Sequence, residues 1–360
     1  MTRSADKAPP GADAQQPVPR SVFSVDSVPT RERYDVWRES ISCIFDVDAD
    51  RPTRQDGFAA SVDVHMFGPV LLGRTTTVRQ EWTRSPLTIA RDGMDHYMIQ
   101  LYESGHMICE HSGGVTEMPT DGLVVFDLAR PVISRTDNFT NMSLVLPRSM
   151  LDGMLKSADD QHMRALTGNE PMVALLRDHM LSLKRLAPRM TAAQAVEIGP
   201  ATAGLAAACL NGSMEDIALG AGRPTLREAS VMERCRRFVE ANLSRADLTP
   251  ALVATELGLS RTRLYQLFER RGGIARYIRD RRLRRALLAL TDRGARDRPI
   301  YDIALAAGFT SDAAFSRQFR RQFGMAPNDV RQGGLGTAAG AAPGPDVDRR
   351  YESWLNRLAV

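Results

Sequence analysis

At 360 residues, with 43% hydrophobic and 25% charged side chains, the chain has length for two or three domains and is neither collagen-like, coiled-coil nor wholly disordered. No apolar run reaches the roughly 18 residues a membrane-spanning helix needs, and residues 1–19 lack the apolar centre of a secretory signal. The formal net charge is +4, yet Val231 to Gln332 carries 21 Arg, no Lys and 11 acidic residues, which puts +10 on one segment and −6 on the rest. A preference for Arg runs through the whole chain, whose only lysines are Lys7, Lys156 and Lys184, but it does not account for this segregation. Such a charge distribution is the electrostatic footprint of a nucleic-acid-binding module.

In chain order, residues 1–20, rich in Pro, Ala, Gln and Asp, read as a disordered leader. Thr30 to Phe45 predicts a helix, with Tyr34, Trp37, Ile41 and Ile44 on one face and Thr30 as its cap. From Phe58 to Pro147 the pattern changes to short strand-like runs: Ser61 to Phe67, Val70 to Val78, His96 to Tyr102, His106 to Glu110, Leu123 to Asp127 and Asn141 to Leu146. Turn signals fall between them at Gly68-Pro69, Gly113-Gly114 and Asp121-Gly122. This spacing suggests a sandwich or a small barrel. From Arg148 to Met214 the strand signal stops, and Glu170 to Leu186 and Thr191 to Leu210 predict two helices parted by Pro188, either a packed appendix or a dimerisation pair. Gly220 to Pro224 reads as a hinge, and beyond Gln332 a Gly/Ala/Pro stretch leads to a short helix from Tyr351 to Leu358. The boundaries so drawn are a leader at 1–20, a β domain at 21–150, a helical dimerisation or linker region at 151–224, a basic helical domain at 225–332 and a flexible tail at 333–360.

The four cysteines, Cys43, Cys109, Cys209 and Cys235, lie far apart without CxxC or zinc-type spacing, which argues against a disulfide framework or a structural zinc and fits a reducing cytoplasm. All six histidines precede residue 181. The close pair His106 and His111 flanks the apolar stretch from Met107 to Cys109 and reads as strand-end or pocket histidines rather than metal ligands. No metal and no cofactor is expected.

The strongest signal is an internal repeat in the basic segment. VATELGLSRTRLYQLFERRG from Val253 returns as IALAAGFTSDAAFSRQFRRQFG from Ile303, offset by 50 up to the glycine and by 51 from the serine onward. Ile300, Ile303, Ala304 and Ala307 give the second copy a buried stripe at i, i+3, i+4 and i+7, and Val253, Ala254 and Leu257 fill the last three of these in the first copy. Gly258 and Gly308 sit where a left-handed residue ends a helix, and Ser260 and Ser311 stand at the next N-cap. The second helices bury Leu264, Leu267 and Phe268 in one copy and Phe315, Phe319 and Phe323 in the other. That leaves Arg261, Thr262, Tyr265 and Gln266 outward on the first, and Asp312, Ala313, Ser316 and Arg317 at the matching places. Ile274 to Leu290 is the connecting helix, whose stripe of Leu283, Ala286, Leu287 and Leu290 turns Arg281, Arg284 and Arg285 toward solvent or phosphate. Two helix-turn-helix units on one rod predict two recognition helices that enter successive major grooves about 34 Å apart.

These residues carry a family resemblance. Ala304-Leu-Ala-Ala-Gly-Phe-Thr-Ser, Phe315-Ser-Arg-Gln-Phe-Arg-Arg, and Gly324-Met-Ala-Pro with Arg331 resemble the signature of the AraC/XylS family of bacterial transcription regulators, over about 100 residues from Val231 to Gln332. One departure is that the first recognition helix carries the short Thr262 where the family often has a long base reader, and Asp312 and Ala313 are short too, so base contacts are expected to be fewer, or shared with shape readout. The stretch from Met118 to Val132 and NMSLVLPR from Asn141 to Arg148 resemble the cupin-like sensor domains attached to such regulators, in the branch associated with small aromatic compounds, amines and related catabolic inducers. Enzymatic cupins need a His-x-His and a nearby Glu as metal ligands, and the strand that begins at His96 has no second histidine at that spacing.

The expected fold class is therefore α+β: a cupin-like β-barrel with flanking helices, then an all-α domain with two helix-turn-helix units. The implied function is a ligand-responsive, sequence-specific DNA-binding regulator, an activator of a catabolic operon. Its partners would be promoter DNA, a small-molecule inducer, a second copy in a homodimer and RNA polymerase, with no membrane. The alternatives are a metal-dependent cupin enzyme fused to a DNA-binding module and a regulator whose N-terminal domain senses a protein partner. The candidate DNA contacts are Arg261, Thr262, Tyr265, Gln266, Asp312, Ala313, Ser316, Arg317 and Arg281. On the strand from His96 to Tyr102, Tyr97, Ile99 and Leu101 share one face and Met98, Gln100 and Tyr102 the other. Trp82, Arg91, Tyr97 and Tyr102 are the candidate ligand contacts, because aromatic faces and a single cation suit a small apolar ligand with a polar end.

Overall fold

The computed structural model describes residues 16–111, 114–119, 121–151, 153–218, 226–269, 272–295, 297–333 and 347–358. Most of the expected leader, the hinge at Gly220 to Pro224 and the Gly/Ala/Pro stretch at 334–346 lie outside them. The first elements are β1 (Arg20–Ser24), α1 (Thr30–Ile41), β2 (Asp46–Asp48), α2 (Arg51–Gln55), β3 (Ala60–Phe67), β4 (Val70–Thr77), β5 (Gln80–Arg84) and α3 (Pro86–Asp92). Then come β6 (Tyr97–Ser104), β7 (Met107–His111), β8 (Gly114–Glu117), β9 (Leu123–Asp127), β10 (Val132–Thr136), β11 (Phe139–Leu146), α4 (Arg148–Leu151) and β12 (Arg164–Leu166). The rest is helical: α5 (Pro171–Leu186), α6 (Ala192–Ala218), α7 (Leu226–Ala241), α8 (Pro250–Glu256), α9 (Arg261–Phe268), α10 (Ile274–Thr291), α11 (Ile300–Ala306), α12 (Asp312–Phe323), α13 (Pro327–Gly333) and α14 (Arg350–Leu358).

The chain divides into two compact units. The first joins the N-terminal part up to Arg84, Asp95 to Ser213 and the C-terminal α14; the second joins Ser85 to Met94 and the helices from α7 to α13. The cuts therefore fall elsewhere than at residues 150 and 224.

The first unit is built on two antiparallel sheets, a seven-stranded one in the order β1-β3-β4-β11-β6-β9-β12 and a five-stranded one in the order β2-β5-β10-β7-β8. Strand alternation gives the larger sheet two buried faces. Tyr97, Ile99 and Leu101 of β6 and Met142, Leu144 and Leu146 of β11 join one apolar cluster with Val173, Leu176 and Met180 of α5 and Ala203, Ala206 and Leu210 of α6. Both helices belong to the core of the sheet domain, and α6 runs on to Ala218 through Pro200. It backs so closely on the β3–β4 turn that a Cβ on Gly199 would stand 2.9 Å from the Phe67 carbonyl.

Three details differ from the sequence pattern. The first helix ends at Ile41, and Thr30 is its first residue, with Pro29 at the N-cap and no side-chain cap. The region after Arg148 does contain a strand, β12, three residues on the edge of β9. The strands β5 and β10 escape the apolar-alternation rule because most of their inward positions are polar or aromatic: Gln80, Trp82 and Arg84 on one, and Ser134 and Thr136 beside Val132 on the other.

Buried titratable groups make the first unit acid-sensitive. His65 is 2% exposed, and burial, with the Lys184 ammonium 3.2 Å from Nδ1, pulls it down from 6.5 to about 4; Asp63 and Arg20 are the other charges facing it. His96, 1% exposed, is likewise pulled to about 4 by burial, among Asp95, Arg84 and Arg148. Both rings are neutral in the folded state while the unfolded chain binds protons at 6.5. Stability is therefore intact above pH 6.5 and is lost as the pH falls from 6.5 toward 4. The urea midpoint read by tryptophan fluorescence, which reports this unit because Trp37, Trp82 and Trp354 all lie in it, should fall between pH 7 and pH 5. A flat profile would contradict the neutral assignment.

In the second unit α10 belongs to two cores. Its first half, Ile274, Tyr277 and Ile278, packs with Val253, Ala254, Leu264 and Phe268 of the first repeat. Its second half, Leu283, Ala286, Leu287 and Leu290, packs with Ile303, Ala304, Phe315 and Phe319 of the second. Ile89 and Ala90 of α3, which follows a strand of the β domain in sequence, also belong to this second core.

Candidate functional site

Each repeat folds as helix, turn and helix. In the first, α8 is capped by Thr249, whose hydroxyl accepts from Leu252 N, and Gly258 at φ +65° turns the chain. Ser260 then caps α9 by accepting from Arg263 N at 3.2 Å. In the second, Gly308 at φ +85° turns α11 into α12, Ser311 accepts from Ala314 N at 3.3 Å, and the left-handed Gly324 closes α12. The two glycines are not equivalent. A Cβ at Gly258 would meet open space, whereas one at Gly308 would stand 2.2 Å from the Leu243 carbonyl and 2.7 Å from Arg282 Nε. Gly308→Ala should therefore destabilise the second unit by about 2–3 kcal/mol, and Gly258→Ala by about 1 kcal/mol. Thermal unfolding by far-UV circular dichroism separates the two, and equal shifts would refute the close-packing argument.

On α9, Arg261, Thr262, Tyr265 and Gln266 are all exposed while Leu264 and Phe268 are buried. On α12, Asp312, Ala313 and Arg317 are exposed and Ser316 is half-buried, above buried Phe315, Phe319 and Phe323. The two first turns thus present side chains outward at matching positions. Arg317 and Gln266 have the donors that read guanine and adenine edges, and Asp312 can only accept, as from a cytosine amino group. Arg281 of α10 is half-buried and paired with Glu240 of α7. A phosphate would have to take it from that partner.

The first unit holds a cavity between its two sheets. Counted with its open mouth it encloses about 810 Å³. Its floor is a grid set by register: Thr75, Asn141 and Tyr102 form one row, Gly73, Ser143 and Gln100 the next, and Leu71, Val145 and Met98 a third. Trp82 of β5 and Ser134 of β10 face them from the smaller sheet. Ile41, Ile44 and Phe45 come from the end of α1 and the chain after it, and Tyr351 and Leu355 from α14. Among the described residues lining it, none is charged. Gly73 has no side chain to fill the middle of the floor, and a Cβ there would lie 3.2 Å from Val64 Cγ2.

Of the four candidate ligand contacts, Trp82 and Tyr102 line this cavity. The Trp82 ring stands edge-on to Trp37 and Phe45, at 6.1 Å and 5.9 Å between centroids, and its Nε1 donates to Thr136 Oγ1 at 3.0 Å. Burial raises the Tyr102 phenol, which therefore stays protonated. Tyr97 lies on the opposite face of β6, its hydroxyl donating to the Ala158 carbonyl at 3.0 Å and its ring 4.3 Å beneath the Arg148 guanidinium. Arg91 belongs to α3, in the other unit. His106 precedes β7 and His111 ends it.

Sequence reasoning did not anticipate α14 as a wall of the cavity. Its Tyr351, Trp354 and Leu355 are buried, the Tyr351 hydroxyl lies 2.8 Å from Ser40 Oγ, and Arg349 pairs with Glu39 at 2.9 Å. The signal was present in the spacing of three apolar residues at i, i+3 and i+4. Nor did it find Asn141 and Ser143, whose polarity reads as the solvent side of an edge strand.

Comparison with known proteins matches both parts of the chain to known domain families. Residues 253–333 match the helix-turn-helix domain family and residues 37–211 the AraC-binding-like domain family. The chain is 25% identical over 301 residues to the transcriptional activator NphR of a Rhodococcus species, covering 82% of this chain and 86% of that protein. It is 42% identical over 82 residues to the regulatory protein SoxS of Escherichia coli K12, covering 22% of this chain and 74% of SoxS. The crystal structure of the AraC-like transcriptional activator CuxR aligns with a TM-score of 0.50 at 28% identity, over 74% of this chain and 94% of CuxR. With both its halves so matched, the chain belongs to the AraC/XylS family of transcription regulators.

Proposed function

We propose that the protein is a ligand-responsive activator that binds promoter DNA by sequence, with a small-molecule inducer in the cavity of the first unit setting the grip of the second. The observation that carries this reading is the pair of helix-turn-helix units strung on α10, each presenting an exposed first turn. The similarity to NphR and CuxR, both transcriptional activators, favours activation over repression. The cavity acts by differential binding and turns nothing over. A homodimer through α5 and α6 would use outward apolar residues such as Leu175 and Leu186, which lie three turns apart on α5 and are 55% and 41% exposed. RNA polymerase and a cytoplasmic setting complete the proposal. Among the described residues no helix is long and apolar enough to cross a membrane.

The test is fluorescence anisotropy with duplexes from the DNA flanking the gene and with random duplexes. Arg317→Ala and Gln266→Ala should each cost about 1–3 kcal/mol on the cognate site and little on random DNA. Arg281→Ala should weaken both duplexes alike and lower the salt slope by about one. Equal losses on specific and random DNA for all three variants would remove the base-reading assignment.

A further inference from the structure

We infer that the cavity of the first unit takes an uncharged aromatic molecule bearing a hydrogen-bond donor, seated with that donor on Asn141 Oδ1. This rests on the reading of the cavity as the effector site and names the chemistry it selects. The argument begins with charge. No acidic, basic or imidazole side chain is among the described residues that line the cavity. A carboxylate or ammonium brought into it would lose its hydration without a counter-charge, a penalty that the apolar walls do not offset. The ion pairs of Lys184 with Asp63 and of Arg148 with Asp127 lie elsewhere, and none of these four residues lines the cavity.

Shape and polarity narrow the class. Six aromatic rings border the cavity, those of Phe45, Trp82, Tyr102, Phe126, Phe139 and Tyr351. The Trp82 and Phe139 centroids lie 5.8 Å apart and those of Tyr102 and Phe139 5.2 Å apart, which leaves edges and faces arranged to receive another ring. Most polar atoms here are already satisfied. Gln100 Nε2 donates to Ser143 Oγ at 3.0 Å, Ser134 bonds Cys109, and Trp82 donates to Thr136. Asn141 is 2% exposed and bonds the Tyr102 hydroxyl, and its Oδ1 is the buried polar side-chain atom of this lining that lacks a partner. A carbonyl oxygen can only accept, so the ligand must donate. A phenolic hydroxyl or an aromatic amide N–H meets all three conditions.

The experiment uses the full chain near neutral pH and four probes of matched shape: 4-ethylphenol, 4-ethylanisole, 4-ethylbenzoate and 4-ethylbenzylamine, with binding read by tryptophan fluorescence and calorimetry. The phenol should bind about tenfold more tightly than its methyl ether, the worth of one hydrogen bond to an otherwise unpaired buried acceptor, and the anion and cation should bind more weakly than either. Asn141→Leu should abolish the phenol's advantage and leave the ether's affinity nearly unchanged. The wild-type comparison stands without the variant, so it decides the class even where Asn141→Leu folds poorly. Equal affinity for phenol and ether, or a phenol preference that survives in Asn141→Leu, would overturn the donor seat. Tighter binding of the benzoate or the benzylamine would overturn the ligand class while leaving the cavity an effector site. Binding of none of the four would overturn the ligand class without bearing on the cavity as an effector site for other molecules.

Discussion

Replacing Arg148 by methionine is expected to cost the first unit about 3–5 kcal/mol, the penalty for leaving a buried charge without its partner. Arg148 is 8% exposed and its guanidinium lies 2.5 Å from the carboxylate of Asp127, which is 2% exposed, and 3.4 Å from that of Asp95. It also caps the Tyr97 ring at 4.3 Å. Burial works against the charged form of Arg148, but the two carboxylates and Tyr97 more than reverse it and raise its affinity for the proton. Methionine keeps much of the volume and none of the charge, so Asp127 at the end of β9 loses the guanidinium that balances its charge. The urea midpoint by tryptophan fluorescence should fall steeply, and Asp127→Leu added to Arg148→Met should recover much of the loss because it removes the stranded carboxylate. An unchanged midpoint in the single variant would mean that water already screens the pair.

The sequence was most legible where the same short pattern occurs twice. The stripes of α8 and α11, the positive-φ Gly258 and Gly308 and the caps Ser260 and Ser311 stand where periodicity and capping chemistry place them, because helical signals are local and each reinforces the next. The sheets were half legible. Strands of the larger sheet, β3, β4, β6 and β9, show as apolar runs, β9 being buried at every position, whereas β5 and β10 turn glutamine, tryptophan, arginine, serine and threonine inward. A cavity reverses the inside-outside rule at its own walls, so the residues nearest a ligand are those that alternation assigns to solvent. The helix α3 had local signals, Ser85 accepting from Thr88 N, Pro86 at its first position and Gly93 in the left-handed cap, but lay between the strand runs ending at Val78 and starting at His96, where the sequence pattern assigns no element. Its long-range partners leave no trace in the local pattern.

Those partners make Ile89 a position where one substitution should disturb the DNA-reading unit from within the sequence of the β domain. Ile89 is 4% exposed in the cluster with Leu283, Leu287, Phe315 and Phe319, and at the end of the same helix a Cβ on Gly93 would stand 2.4 Å from Thr291 Oγ1 of α10. Ile89→Ala should cost the second unit about 2–5 kcal/mol through lost burial and the cavity left behind. Hydrogen exchange of the α12 amides should accelerate accordingly, while the fluorescence midpoint of the first unit should change little. A fragment of residues 226–333, which lacks α3, should be similarly weakened and regain stability with a peptide spanning Ser85 to Met94. The connection is also the shortest covalent route from cavity to reader: Trp82 of the cavity stands three residues before Ser85, and Met98 four residues after Met94. Were the proposed ligand to shift either strand end, the displacement would reach α3 along the chain, and a coupling of about 1–3 kcal/mol would change promoter affinity by roughly 5- to 150-fold. Unaltered α12 exchange in Ile89→Ala would show that the second repeat holds its fold without α3 and that coupling takes another path.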